Sequence, residues 1–292
     1  MKVLVTGSAG FIGRHVCRRL LADGAKVTGF DVKQAGLDDI EEITGDLLDL
    51  DQVQAAVTGH DVVCHVGAIG DVYLAAEQPG LAAAVNVTGT SNVATAALEN
   101  DARVVYASTW EVYGEPRYEP VDEEHPASPD HPYNITKLAG EQMLLASHRL
   151  GGLSAIALRL GTAYGLGMRP NSVFEIFIRK ALSGEPITIQ GDGSQGRQFT
   201  HVSDIARAFA LATRSDEAGM TLNIVSPDVV TIRQLAEKVV ERFPTQVEFG
   251  DPRPGDVAPS YVSAAKAEEI LGWKAEVAFE DGMAELFDAD RG

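Results

Sequence analysis

The opening stretch of the chain limits the fold more tightly than any other. A short apolar run, residues 3–6, meets the turn Thr6-Gly7-Ser8-Ala9-Gly10-Phe11-Ile12-Gly13. Beyond it, Ile12, Val16, Leu20 and Leu21 fall on one helical face and Arg14, Arg18 and Arg19 on another, with Gly24 as a stop. A second β-branched run, residues 27–30, closes with Asp31. Strand, glycine turn, helix and strand make a βαβ unit. Such a unit needs a parallel sheet, because its crossover must cover a sheet face.

The rhythm repeats. Further strands are expected at 62–66, 104–108, 155–160 and 222–225, alternating with longer helical patterns. After about Leu160 it breaks into loops rich in Gly, Pro and Arg, with helices expected at 173–182, 204–213, 232–243 and 264–271. The fold class expected is α/β, a doubly wound parallel Rossmann sheet with a smaller C-terminal substrate-binding lobe. Residues 1–162, with 198–228 returning to them, are assigned to the first domain, and 163–197 and 229–292 to the lobe.

A glycine turn between strand and helix suits a dinucleotide. Absent side chains let a pyrophosphate approach the backbone, and the helix dipole favours its charge. Gly7, Gly10, Phe11, Ile12 and Gly13 are therefore candidate cofactor contacts. Asp31 stands where an acid would meet ribose hydroxyls and repel a 2′-phosphate, which favours NAD over NADP. The alternative is a tight structural turn followed by an incidental strand-end acid.

Charge narrows the partners. Against 24 basic residues stand 42 acidic ones, a net charge of -18, which repels nucleic acid and anionic lipid surfaces alike. A diphosphate would then have to be held by a few locally placed arginines and backbone amides. The two cysteines, Cys17 and Cys64, lie in apolar segments and read as inert core thiols, too few for a disulfide framework or a zinc cluster, and no metal site is expected. The chain begins on a strand without a basic leader, and no apolar run reaches membrane-spanning length; a cytoplasmic protein is expected.

Tyr133 and Lys137 are four apart at the start of a helix expected to run to about Leu150. That spacing stacks them on one face, where an ammonium can favour a phenolate. A tyrosine titrates near about 10 and needs such help to act as a base at neutral pH. Taken alone, the pair is an ordinary helix surface. Here it follows a strand ending Ala107-Ser108-Thr109.

The glycine pattern, the Thr, Tyr and Lys order and several later segments together resemble the extended short-chain dehydrogenase/reductase superfamily, within it the NAD-dependent nucleotide-sugar epimerase/dehydratase family (UDP-glucose 4-epimerase-like). Residues 107–114, Ala-Ser-Thr-Trp-Glu-Val-Tyr-Gly, are similar to that family's active-site strand and loop. Residues 158–165 resemble its LRxxNxYG segment with Thr162 at the Asn position, residues 191–199 its GDGxQxRDF, and Arg253-Pro254-Gly255-Asp256 its RPGD. The likeness covers nearly the whole chain.

The resemblance implies an NAD-dependent enzyme in which Thr109, Tyr133 and Lys137 form the triad. Asp46 and Leu47 would lie at the adenine. Val66, Gly67 and Ala68 would line the pyrophosphate and nicotinamide, while His65 is expected to pack or to make a backbone hydrogen bond. Thr109, Thr162, Asn171, Arg197 and Arg253 would contact the substrate, a nucleotide-diphosphate sugar of UDP type. The guanidinium fork suits a diphosphate, although a lone arginine is as readily a solvated surface charge. Gln198 replaces a usual Asp, so a local salt bridge or loop anchor is expected to be lost. A homodimer is expected through the helix bearing Tyr133 and its neighbour at 82–98.

Among reactions, 4-epimerisation through a transient 4-keto sugar is the first choice, of UDP-glucose/UDP-galactose type. Related 4,6-dehydratases carry Asp-Glu after the catalytic Thr, where this chain has Trp110-Glu111, so the acid for a departing 6-hydroxyl is missing. Glu111 keeps the place of a base, which leaves a nucleotide-sugar decarboxylase or dehydratase as the enzymatic alternatives. It could equally be a loop hydrogen-bond acceptor. Trp110 either restricts the sugar or packs beneath the loop. A non-catalytic NAD-binding sensor or scaffold is the reading of another class.

Overall fold

The computed structural model describes residues 1–251 and 261–289. β1 (Lys2–Thr6) leads through the glycine turn into α1 (Phe11–Ala22), and β2 (Lys26–Asp31) returns parallel to β1 with Val3 opposite Val27. β3 (Glu41–Thr44), α2 (Leu50–Val57) and β4 (Val62–His65) follow. Next come α3 (Val72–Glu77), α4 (Pro79–Ala83), a π-helical turn over Ala84–Thr88, and α5 (Gly89–Glu99). β5 (Arg103–Thr109) runs into a 3-10 turn, Trp110–Tyr113, before α6 (Pro132–Gly151) and β6 (Ala155–Leu160).

The later chain is built of shorter pieces. β7 (Thr162–Tyr164), α7 (Val173–Leu182), β8 (Ile187–Gln190), β9 (Gly196–Arg197) and β10 (Phe199–His201) precede α8 (Val202–Ala212) and β11 (Met220–Ile224). β12 (Val230–Thr231), α9 (Ile232–Arg242), β13 (Val247–Gly250), α10 (Ala265–Leu271) and α11 (Phe279–Ala289) complete it.

Seven strands form one parallel sheet in the order β11-β6-β5-β4-β1-β2-β3, the doubly wound arrangement expected. Side chains alternate across it: Val3 and Val5 pack with Val16, Leu20 and Phe209 on one face, Leu4 with Val53, Val63 and Val93 on the other. Because the chain leaves β1 toward β2 on one side and resumes at β4 on the other, a crevice opens between the carboxyl ends of β1 and β4. The site occupies that crevice.

A third core lies outside the sheet. Tyr164, Phe174, Phe177, Phe199, Leu235, Val239, Phe279 and Leu286 bury one another, with the Tyr164 and Phe174 rings stacked at 5.1 Å. One expectation about the lobe needs correction. Residues 229–292 are assigned to it, yet Ala267 and Trp273 bury in the sheet-side core, and the Trp273 indole N–H donates to Asp204 O at 2.9 Å.

The loss of an anchor at Gln198 does not occur either. Its Nε2 donates to Ser226 O at 2.6 Å and Val262 O at 2.9 Å, while its Oε1 accepts from Val262 N at 2.7 Å. An amide both donates and accepts, so it ties two segments that a carboxylate would tie only as an acceptor. Among the described residues, no helix is long and apolar enough to cross a membrane.

Candidate active site

The glycine turn is shaped by what it cannot hold. Gly7 has φ 70°, and a Cβ there would stand 2.6 Å from Gly67 Cα; a Cβ on Gly13 would stand 2.0 Å from Gly7 O. Glycine at these positions lets β1, the start of α1 and the loop after β4 close on one another. Gly10 opens α1 with no side-chain cap, so the first helical N–H groups face the crevice without a side-chain acceptor. That arrangement fits a pyrophosphate. Asp31 Oδ2 accepts from Ala9 N at 3.0 Å, which fixes the turn and keeps the carboxylate in the crevice.

A cleft of about 900 Å³ runs from Asp31 past the turn to the carboxyl end of β5. Gly7, Gly10, Phe11, Ile12, Gly13, Asp46, Leu47, Val66, Gly67 and Ala68 all line it, as do Thr109, Glu111, Tyr133, Lys137 and Thr162. Residues far apart in sequence therefore share one wall.

His65 sits beneath that wall, fully buried. Thr90 Oγ gives its proton to Asn86 O, so at 2.9 Å from His65 Nε2 it accepts, and the Thr6 hydroxyl donates to Nδ1 at 2.7 Å. The ring is neutral with its proton on Nε2, and burial, then the Lys137 charge, push it down to about 3. It packs against the Tyr106 ring, and its hydrogen bonds go to side chains rather than to the backbone. Asn86 completes the brace: its amide pairs with Ile69 N and O and reaches Thr136 Oγ at 2.9 Å, tying the loop after β4 to α6.

α6 starts where Pro132 takes the first helical position and the His131 ring accepts from Tyr133 N at 3.2 Å. It stops at Gly152, in the left-handed region at φ 78°. Tyr133 is partly buried and Lys137 buried. Thr109 Oγ accepts from Glu111 N at 3.3 Å, which leaves its hydroxyl proton available to the cleft. Burial and then Glu111 push the Tyr133 phenol up, while Arg169 and the Thr109 hydroxyl pull it back. Burial lowers Lys137 to about 7 against the upward pull of Glu141, and its ammonium lies 4.2 Å over the Tyr106 ring.

Trp110 packs with Tyr113, Val121, Val225 and Val262 and also forms part of the cleft wall. Burial raises the Glu111 carboxyl, with Arg197 opposing and Asp130 adding. Arg197, on β9, is thus near the reactive end without lining the cleft, and its Nη1 donates to Gly196 O at 2.7 Å. Asn171 is exposed, lies outside the lining, and donates to Asp71 Oδ2 at 3.3 Å. Arg253 falls outside the described residues.

Arg169 went unread in the sequence, although it lines the cleft and pairs with Asp71 at 2.9 Å. Its only sequence signal was a basic residue in the compact loop between Gly165 and Pro170. Asn86, likewise unread, was visible as a polar residue within an apolar helical run.

The fold and this cleft define a dinucleotide-dependent α/β enzyme scaffold. The profile of the NAD dependent epimerase/dehydratase family matches residues 3–225, and the chain belongs to that family, of the extended short-chain dehydrogenase/reductase type, with NAD as its cofactor. It is 33% identical to a UDP-glucose 4-epimerase of Mycolicibacterium smegmatis, over 99% of this chain and 98% of that one. It is 31% identical to a dTDP-glucose 4,6-dehydratase of Streptomyces niveus, covering 99% and 92%. The solved structure of MoeE5 with UDP-glucose and NAD superimposes with a TM-score of 0.92 at 34% identity, covering 100% and 99%; MoeE5 has also been solved with UDP-glucuronic acid and NAD.

Proposed function

We propose that this enzyme is a nucleotide-sugar 4-epimerase acting on a UDP-linked hexose through a transient 4-keto sugar. The observation that carries the reading is one shared wall: Thr109, Tyr133 and Lys137 face the same cleft as the glycine turn and Asp31. The pyrophosphate would rest on the start of α1 and on residues 66–68, with Asp31 at the ribose and Asp46 and Leu47 at the adenine. Bound there, NAD supplies reversible oxidation of the sugar carbon.

The chain's own groups handle the proton. The Thr109 hydroxyl orients the sugar hydroxyl, and Tyr133 Oη takes its proton and later returns it. Burial makes the phenolate costly, so positive charge nearby is what allows Tyr133 to act as a base: Arg169 across the cleft supplies it, and Lys137, one helical turn along, adds to it by its i,i+4 placement. The sugar is then free to present its other face. Thr162 and Arg197 would hold the nucleotide end, together with Asn171 once it exchanges its Asp71 contact, and Arg253 would join them.

Trp110 in place of an acid speaks against loss of the 6-hydroxyl. A second reading rests on Arg169. A guanidinium in the cleft near Tyr133 suits a sugar bearing a carboxylate, and MoeE5 was solved with UDP-glucuronic acid. On that reading the substrate is a UDP-uronate, epimerised at C4 or, with Glu111 as base, decarboxylated. Exposed Ile135, Met143 and Leu150 on α6 and Leu98 on α5 support a homodimer through those helices.

The test is incubation of the NAD-loaded enzyme with UDP-glucose, UDP-galactose, UDP-glucuronate and dTDP-glucose, with products followed by NMR. Interconversion of a C4 pair supports the proposal and names the sugar. Release of carbon dioxide or formation of a 6-deoxy-4-keto sugar would replace it.

A further inference from the structure

Below the triad lies a carboxylate that the proposed chemistry does not use. Glu141 is fully buried on α6, one helical turn beyond Lys137 and two beyond Tyr133. Its Oε2 accepts from Ser108 Oγ at 2.7 Å and from Arg159 Nε at 3.1 Å, and its Oε1 from Arg159 Nη2 at 2.6 Å. Ser108 directly precedes Thr109. Arg159, from β6, lies 4.7 Å under the Tyr113 ring, and Tyr113 Oη donates to Asn223 Oδ1 at 2.7 Å. Glu141 thus ties the catalytic helix to the strand end bearing Thr109, and Arg159 carries the link on to the turn bearing Glu111.

The carboxylate accepts three hydrogen bonds, two of them from the Arg159 guanidinium. Its i,i+4 spacing from Lys137 puts the two on one helical face, with Cβ atoms about 5–6 Å apart. We propose that Glu141 is a positioning residue of the reaction: it clamps the end of β5 to α6 and supplies the negative charge that keeps the Lys137 side chain an ammonium inside a dry wall. The inference rests on the triad chemistry proposed above.

The surroundings leave this task to Glu141. From β5, Lys137 meets the neutral Tyr106 ring; from β4, the neutral His65; from β6, Arg159, which is spent on Glu141. On its own helix it has Tyr133, and the 3-10 turn brings Glu111 and Tyr113, both held toward their neutral forms by burial. The segments packed on α6 from 72 to 99 carry Tyr73, Glu77 and Glu99, all exposed. Among these groups, Glu141 is the carboxylate that raises Lys137.

The experiment is the pH profile of kcat, measured on the NAD-loaded enzyme with the substrate found in the panel, for Glu141→Gln and Glu141→Asp. Removing a negative charge eases deprotonation of both members of the Tyr133–Lys137 pair. Glu141→Gln therefore moves both limbs toward lower pH by about one unit, with KM changed little. Glu141→Asp keeps the charge and keeps the limbs in place, even where the shorter side chain lowers kcat.

Limbs that stay fixed in Glu141→Gln while kcat falls would reduce Glu141 to a mechanical brace and overturn the proposal. Should the single variant not fold with Arg159 unpaired, Glu141→Gln/Arg159→Met removes both charges, and the limbs must still move acidward. Failure of the triad reading is distinguishable, because Tyr133→Phe would then retain turnover whatever Glu141 does.

Discussion

Adding one methyl group at Gly13 tests the cofactor cradle where it is tightest. The Cβ of Gly13→Ala would stand 2.0 Å from Gly7 O, 2.8 Å from Gly7 C and 3.0 Å from Ser8 Cα, all of them backbone atoms. Ordinary contact begins at 3.4 Å, so the start of α1 must retreat from the turn by about 1.4 Å, the difference between 3.4 and 2.0 Å. Overpacking of this kind costs roughly 1–3 kcal/mol. In a chain of this size each kcal/mol lowers Tm by roughly 2–4 °C. A retreat of about 1.4 Å also stretches a hydrogen bond of about 2.9 Å past its range, so the helix N–H groups lose the pyrophosphate. NAD affinity should fall at least tenfold, about 1.4 kcal/mol. Gly10→Ala separates the two effects: its Cβ meets just Gly7 O, at 3.1 Å, and projects at an exposed position of the cleft. That variant should melt near the parent temperature while still binding NAD more weakly. Calorimetric titration of NAD with parallel thermal melts reads both quantities. Native affinity in Gly13→Ala, or a large fall in Tm for Gly10→Ala with affinity intact, would refute the reasoning.

Other consequences are as direct. Gln198→Ala strands the Val262 N–H and two carbonyls in a buried place, which should cost about 1–3 kcal/mol in denaturant unfolding without touching the cleft. His65 titrates at about 3 when folded and near about 6.5 when unfolded. The unfolded state therefore binds the extra proton between those values, and stability is present above about 6.5 and lost as pH falls toward 3. Between pH 7 and pH 5 the loss from this group is about 2 kcal/mol, and His65→Gln should shrink the measured pH dependence by that amount. If the sugar carries a carboxylate, Arg169→Met should raise KM for UDP-glucuronate about tenfold or more and leave KM for UDP-glucose unchanged, while kcat falls for both sugars as Tyr133 loses a neighbouring positive charge. Its half-exposed ion pair with Asp71 contributes little to Tm.

The βαβ opening was legible because two independent signals coincide there, a helical period and a turn that admits only glycine. The buried strands were legible for a similar reason, since fully covered parallel strands read as continuous β-branched runs. β3 was not, because Glu41-Glu42-Ile43-Thr44 is a half-exposed edge strand with no apolar run. The closing helix at Phe279–Ala289 was missed although Phe279, Met283, Leu286 and Phe287 bury one face; acidic residues and Gly282 dilute its pattern. Within the site, the glycine turn and Asp31 follow from motif spacing, whereas residues 46–47, residues 66–68 and the triad assignment come from the family resemblance. What spacing cannot reveal is which side chains cross between segments: the Gln198 anchor, the Asn86 brace and the Asp71 pairing with Arg169 and Asn171 each join residues at least 17 positions apart. Such contacts depend on loop geometry, which leaves no period in the sequence.

The central claim is that Tyr133 takes a proton from the C4 hydroxyl while the C4 hydrogen leaves the sugar and comes back. It is tested by giving the NAD-loaded enzyme UDP-glucose and UDP-glucuronate deuterated at C4 and following the label by NMR. The account predicts a C4-inverted product that keeps its deuterium at C4, and a rate lower by about 10²–10⁴ in Tyr133→Phe at unchanged NAD occupancy. Deuterium lost to water, or turnover undiminished in Tyr133→Phe, would contradict it.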